Sequence, residues 1–137
     1  MVAELFVDTS AWYPLVVRSH PQHAPLAGAL RDAVRRGTRV VTTNLIVAET
    51  HVLLLRRTSR QTALAFARGV VQPPNLVVSS TRDLEAAALD DWLERYDDHD
   101  FSFTDAVSFA AMTERGIAGA LTLDRHFAAA GFQMLPA

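Results

Sequence analysis

Two apolar runs in this chain each stop at an aspartate and then give way to a helix-like segment. Ala3-Glu4-Leu5-Phe6-Val7 ends at Asp8, and Gly119-Ala120-Leu121-Thr122-Leu123 ends at Asp124. Strand followed by helix, repeated along a chain, is the order of an α/β sheet. Ligands of such sheets bind beyond the carboxyl ends of the strands. The two aspartates therefore mark a negatively charged pocket, which Glu49 and Asp105 are candidates to join. Carboxylates gathered in one place raise one another's pKa unless protons or cations compensate them. A divalent-metal site is the leading expectation.

The remaining elements follow from periodicity and capping signals. A strand over about Ala3–Val7 leads into a short helix over about Thr9–Val17. His20–Pro25 reads as a loop, and a helix over about Ala24–Arg36 ends where Gly37 supplies a C-terminal cap. Arg39–Thr42 is strand-like. Asn44 is expected to cap a helix reaching Arg57, and Ser59 another reaching Val70. After the turn at Pro73-Pro74-Asn75, Leu76–Ser79 reads as a short buried strand. A helix over about Thr81–Tyr96 precedes the acidic loop Asp97–Asp100. A further helix over about Thr104–Arg115 stops at Gly116. A strand at Ala120–Leu123, a helical turn at His126–Ala130 and a last strand at Gln133–Leu135 complete a mainly parallel sheet with helices on both faces.

The chain has 137 residues, half of them hydrophobic, enough for one domain with a real core. No apolar run approaches the roughly 20 residues that span a bilayer, and the first residues lack the pattern of a secretion signal. A soluble cytoplasmic protein is the expectation. The absence of cysteine excludes disulfides and thiolate zinc sites. The net charge of −2 hides an asymmetry: residues 1–70 carry nine arginines against four acids, and residues 71–137 carry four against eleven. Every basic residue is arginine, which suits bidentate phosphate recognition but is also what genomic base composition alone can produce. An arginine-bearing half beside an acidic site fits a nucleic acid with bound cations.

Each acid has a plainer explanation. Asp8 suits a helix cap, and Ser102-Phe103-Thr104-Asp105 matches the Ser-x-x-acid capping pattern. Asp124 is placed to cap the turn at His126. Glu49 resists this treatment, because Leu45, Ile46, Val52 and Leu53 share its helical face and set it in an apolar stripe. A buried carboxylate needs a partner, so its structural alternative is an ion pair, with Arg56 the nearest candidate. Asp97, Asp98 and Asp100 read as a solvated turn, with Asp100 the best placed of them to assist a site. The five histidines show no zinc-ligand spacing beyond His20-Pro21-Gln22-His23. Trp12 and Tyr13 suit core packing or base stacking, and Arg31, Arg35 and Arg36 suit phosphate contact or solvation. No glycine-rich phosphate loop or Gly-x-Ser-x-Gly elbow is present.

Taken in order, Phe6-Val7-Asp8-Thr9-Ser10, Thr43-Asn44 with Glu49 beyond, Phe103-Thr104-Asp105-Ala106 and Leu121-Thr122-Leu123-Asp124 resemble the signature of PIN-domain nucleases. The stretch from Asp105 through Met112, Gly116-Ile117, Phe127, Gly131-Phe132 and Leu135 is similar to the C-terminal half of VapC-type toxins, the ribonuclease members of bacterial toxin–antitoxin pairs. The resemblance covers nearly the whole chain. It implies a single PIN-like domain over 1–137, a three-layer α/β/α fold with a mainly parallel sheet of four to five strands. It also implies site acids at Asp8, Glu49, Asp105 and Asp124, flanked by hydroxyls at Thr9 and Thr104.

A site of Asp and Glu suits Mg²⁺ or Mn²⁺. The expected assignment gives the principal ion to Asp8 and Asp105, with Glu49 and Asp124 completing a second site or orienting water. Hydrolysis of RNA by metal-activated water would leave a 5′-phosphate and a 3′-hydroxyl. The resemblance further implies a homodimer, structured RNA such as transfer or ribosomal RNA as substrate, and a cognate antitoxin whose C-terminal segment covers the acidic pocket. Two alternatives stand beside it: a PIN-type nuclease of RNA maturation or decay, and a non-catalytic binding module whose acids are only caps and ion pairs.

Overall fold

The computed structural model describes residues 2–137. Five strands, β1 (Glu4–Val7), β2 (Arg39–Thr43), β3 (Leu76–Val78), β4 (Gly119–Leu121) and β5 (Gln133–Leu135), form one sheet in the order β3-β2-β1-β4-β5. Every pairing is parallel. Helices α1 (Thr9–Val16) and α2 (His23–Arg35) link β1 to β2, and α3 (Asn44–Arg57) and α4 (Arg60–Val70) link β2 to β3. The return to β4 passes through α5 (Arg82–Ala87) and α6 (Phe103–Arg115), and α7 (His126–Ala129) precedes β5. This is the expected α/β/α arrangement.

A parallel sheet needs both faces covered, because its crossovers place helices on them. The central strands obey this: Leu5, Phe6, Val7, Val40, Val41, Ala120 and Leu121 are all buried. Phe127 of α7 packs on Phe6 and on Phe109 of α6, with ring centroids 6.1 and 5.0 Å away. The order places β1 at the centre, with the chain running outward to β2 and β3 on one side and to β4 and β5 on the other. Between β1 and β4 the connections therefore diverge, opening the crevice where α/β folds bind ligands.

Several local expectations are corrected. Thr43, not Asn44, caps α3, its hydroxyl accepting the Ile46 N–H at 3.2 Å. Asn44 instead accepts the Ser80 N–H at 2.8 Å and ties the start of α3 to the segment after β3. The strand at β3 is half-buried because it is a sheet edge. The helix expected over Thr81–Tyr96 is α-helical only to Ala87 and continues as a π-helix over Ala88–Glu94. There Trp92 stacks on Tyr96 at 5.2 Å and reaches Phe109 at 5.1 Å. The α2 helix begins at His23, inside the expected loop. At β4 the strand stops at Leu121, which releases Thr122 to turn toward the crevice. Gly116 closes α6 at φ 70°, the left-handed conformation that favours glycine.

Candidate active site

The register of β1 against β4 builds the first half of the site. Val7 pairs with Leu121, and the next residue's N–H, that of Asp8, donates to the Leu121 carbonyl at 3.1 Å. Asp8 and Thr122 thus leave adjacent strands side by side. Asp8 caps α1 as its plainer explanation required, accepting the Ser10 N–H at 3.3 Å. The Ser10 and Thr122 hydroxyls also donate to the same oxygen, Oδ2, at 2.8 and 3.1 Å. Both hydroxyls are relays: Thr122 accepts the Asp124 N–H at 3.0 Å, and Ser10 accepts the Leu123 N–H at 2.8 Å.

The second half comes from α6. Helices of a parallel sheet run back against the strands, so α6 begins at the strands' carboxyl end. There Ser102 and Asp105 form a reciprocal capping box. Asp105 Oδ2 accepts the Ser102 N–H at 3.1 Å and lies 3.2 Å from His126 Nδ1. The same ring nitrogen stands 3.6 Å from Asp124 Oδ1, which itself accepts the His126 backbone N–H at 2.9 Å. A chain of contacts thus runs from Asp8 through Thr122 and Asp124 to His126 and Asp105.

Two of the four expected acids, Asp105 and Asp124, are therefore brought together with His126. Asp8 lies outside that group and is joined to it through Thr122 and the Asp124 backbone N–H. Asp8 and Asp105 also take part in helix capping. Glu49 is different. It is exposed, and among the described residues it makes no hydrogen bond or ion pair, so neither its expected place in an apolar stripe nor the alternative ion pair with Arg56 is what the structure shows. The buried face of α3 is Ile46, Thr50 and Leu54, while Val52 is 42% exposed. Thr50 donates to Thr9 of α1 at 3.3 Å, which ties the buried face of α3 to the start of α1. Asp97, Asp98 and Asp100 are exposed, and Asp98 engages only His99, at 2.9 Å.

Sequence reasoning missed His126, Ser10 and Thr122. The hydroxyls expected beside the acids were Thr9 and Thr104, but those that touch Asp8 belong to Ser10 and Thr122. The signal was an alternation past a strand end: Thr122, Asp124 and His126 at every second position. Among the described residues, the group of three or more acids and histidines whose ligand atoms all lie within 4.8 Å of one another is Asp105, Asp124 and His126.

Asp8 is 4% exposed, and burial pushes its carboxyl from its ordinary value of 3.8 up to about 6, against the opposing hydrogen bonds from Ser10 and Thr122. Among the described residues no arginine pairs with Asp8, Asp105 or Asp124. Arg39 and Arg115 are instead engaged by Glu4. Carboxylates gathered without an arginine partner, one of them destabilised by burial, form a donor set that fits a divalent cation.

Acids at the switch point of a parallel sheet stand where ligands of such folds bind. The chain matches the PIN domain over residues 5–133 and belongs to the PIN-domain family. Within it the likeness is to VapC toxins. The 23S rRNA-specific endonuclease VapC20 of Mycobacterium tuberculosis is 38% identical over 128 residues, 93% of this chain and 95% of the relative. The crystal structure of VapC20, described as a sarcin-ricin loop cleaving toxin, matches with a TM-score of 0.83 at 37% identity, over 93% of this chain and 95% of that one. VapBC2 from Rickettsia felis, bound to a DNA fragment from their promoter, matches with a TM-score of 0.71 at 8% identity over 96% of both chains. FitAcB from Neisseria gonorrhoeae matches with 0.69 at 14% identity over 95% of both. At these lower identities the likeness is one of fold. No helix among the described residues is long and apolar enough to cross a membrane.

Proposed function

We propose that this protein is the toxin of a toxin–antitoxin pair and cleaves structured ribosomal RNA, with Mg²⁺ or Mn²⁺ held by Asp105, Asp124 and Asp8 and approached by Glu49. The observation that supports the reading is the cluster of Asp105, Asp124 and His126 at the β1/β4 crevice of a PIN fold, with Asp8 tied to the same turn through Thr122 and none of these acids paired with an arginine among the described residues. VapC20's own specificity, for 23S rRNA at the sarcin-ricin loop, supports ribosomal RNA over transfer RNA. The bound cation supplies positive charge against the scissile phosphate, activation of water and stabilisation of the leaving oxygen.

The chain's own residues do the positioning. Ser10 and Thr122 fix the Asp8 carboxylate and leave its Oδ1 outside those three hydrogen bonds. Ser102 fixes Asp105 through the capping box. Glu49, exposed and without a partner, is free to swing toward water or a second cation. In the overall change the water oxygen joins phosphorus, the bond to the 3′-oxygen breaks, and that oxygen takes a proton. The products carry a 5′-phosphate and a 3′-hydroxyl.

The partner in this reading is a small antitoxin. A cleft of about 590 Å³ between α1, α2 and α4 is lined by Trp12, Leu15, Leu30, Phe66 and Val70, with Arg31 and Arg35 at its edge. The Trp12 Nε1–H is buried without an acceptor, the only such side-chain atom among the described residues. Exposed Val52 and Leu55 on α3 offer apolar surface for the expected homodimer. The test is to incubate purified protein with ribosomes and with total RNA, in Mg²⁺ or Mn²⁺, and map the new 5′ ends. Defined cuts in 23S rRNA that disappear with EDTA and in Asp8→Asn and Asp105→Asn are expected; unchanged cutting by either variant would defeat the assignment.

A further inference from the structure

The sequence argued for an all-carboxylate cation site, and the fold adds a nitrogen to it. His126 Nδ1 stands 3.2 Å from Asp105 Oδ2 and 3.6 Å from Asp124 Oδ1. An ion that holds its ligands at about 2.1 Å in an octahedral array sets neighbouring ligand atoms roughly 3 Å apart. The two distances from His126 Nδ1 are thus close to two edges of one triangular face of such an array, and the two carboxylates lie within 4.8 Å of one another. The ring is also held from several sides. The His126 backbone N–H donates to Asp124, which fixes the base of the side chain, and Phe101 meets the imidazole edge-on, with centroids 5.3 Å apart. The side chain keeps 38% of its surface exposed, which leaves room for water on the open side.

We infer that His126 is a direct nitrogen ligand of the cation bound by Asp105 and Asp124, and that it biases the site toward Mn²⁺ over Mg²⁺. This rests on the cation site proposed above. As a ligand, His126 would present the Nδ1 lone pair to the ion and carry the ring proton on Nε2. Mg²⁺ prefers oxygen throughout, whereas imidazole is a better ligand for transition ions. A site with one nitrogen and two carboxylates therefore discriminates between two ions that an all-oxygen site would treat more alike.

The experiment uses the full chain, freed of divalent ions, with Mn²⁺ as the spectroscopic probe and Mg²⁺ as competitor. Pulsed electron paramagnetic resonance of the Mn²⁺-loaded protein should show modulation from a directly bound nitrogen nucleus. His126→Asn puts an amide oxygen near the position of Nδ1, so the cation should still bind. In that variant the nitrogen signal should vanish and the preference for Mn²⁺ over Mg²⁺ should fall by at least about tenfold. Mn²⁺ that binds the wild type without nitrogen modulation, and is lost from Asp105→Asn, would overturn the ligand role of His126 while leaving the cation site standing. Mn²⁺ affinity unaltered in both Asp105→Asn and Asp124→Asn would overturn the site itself.

Discussion

Replacing Asp8 by Asn should stabilise the ion-free protein, although it should abolish RNA cleavage. The Asp8 carboxyl is raised from 3.8 to about 6, chiefly by burial, which corresponds to about 3 kcal/mol of disfavoured ionisation. The sign follows from proton linkage. Between those two pH values the native state holds more protons than the unfolded chain, so stability falls as pH rises from about 4 to about 6, then levels off. Asn carries no charge, caps a helix well, and keeps an oxygen to accept from Ser10 and Thr122. Wild type and Asp8→Asn should therefore be similar near pH 4. By pH 8 in EDTA the variant should lead by up to about 3 kcal/mol. For a chain of 137 residues this is about 10 °C in melting temperature. Thermal and urea denaturation across that pH range measure it. Adding Mn²⁺ should raise the wild type by about 2.7 kcal/mol at a concentration a hundredfold above its dissociation constant, and narrow the gap. A difference that does not change with pH, or a variant less stable than wild type at pH 8 in EDTA, would refute the reasoning.

Thr122→Val removes the hydroxyl that links Asp8 Oδ2 to the Asp124 N–H. It should cost about 1–3 kcal/mol, seen by urea denaturation, and make the decline in stability from pH 4 to pH 6 larger. Ser102→Ala breaks the capping box at the start of α6 and should cost about 1 kcal/mol; an unaltered melting temperature would contradict the role given to it. Gly116→Ala forces a side chain onto φ 70° with no neighbouring atom within 4 Å of the new carbon. Its cost of about 1–2 kcal/mol is conformational, so denaturation should report it while RNA cleavage by the folded protein stays at the wild-type level.

Most of the fold was legible because its signals are local. Apolar β-rich runs, Ser59 and Ser102 as caps, and Gly37 and Gly116 as stops each act within a few residues, and the structure keeps them. What failed was also local in appearance but decided at a distance. Asn44 looks like a cap, yet the strand geometry of Thr43 makes it the cap and leaves Asn44 for Ser80. The apolar neighbours of Glu49 imply burial only if that face meets the core, and the packing of α3 turns Ile46, Thr50 and Leu54 inward instead. The π-helix at Ala88–Glu94 has no one-dimensional signature that distinguishes it from the α-helix it extends.

The sequence by itself determined that acids would follow strand ends in an α/β sheet, and that no cysteine would share their work. Periodicity and chain order carry that much, since backbone geometry forces strand ends and helix starts to one side. Only the tertiary structure decided which groups meet there. The pairing of β1 with β4 sets the Thr122 hydroxyl against Asp8. The return of α6 brings Asp105 to a histidine 21 positions away. Such contacts are made in space between segments whose separation along the chain leaves no periodic trace.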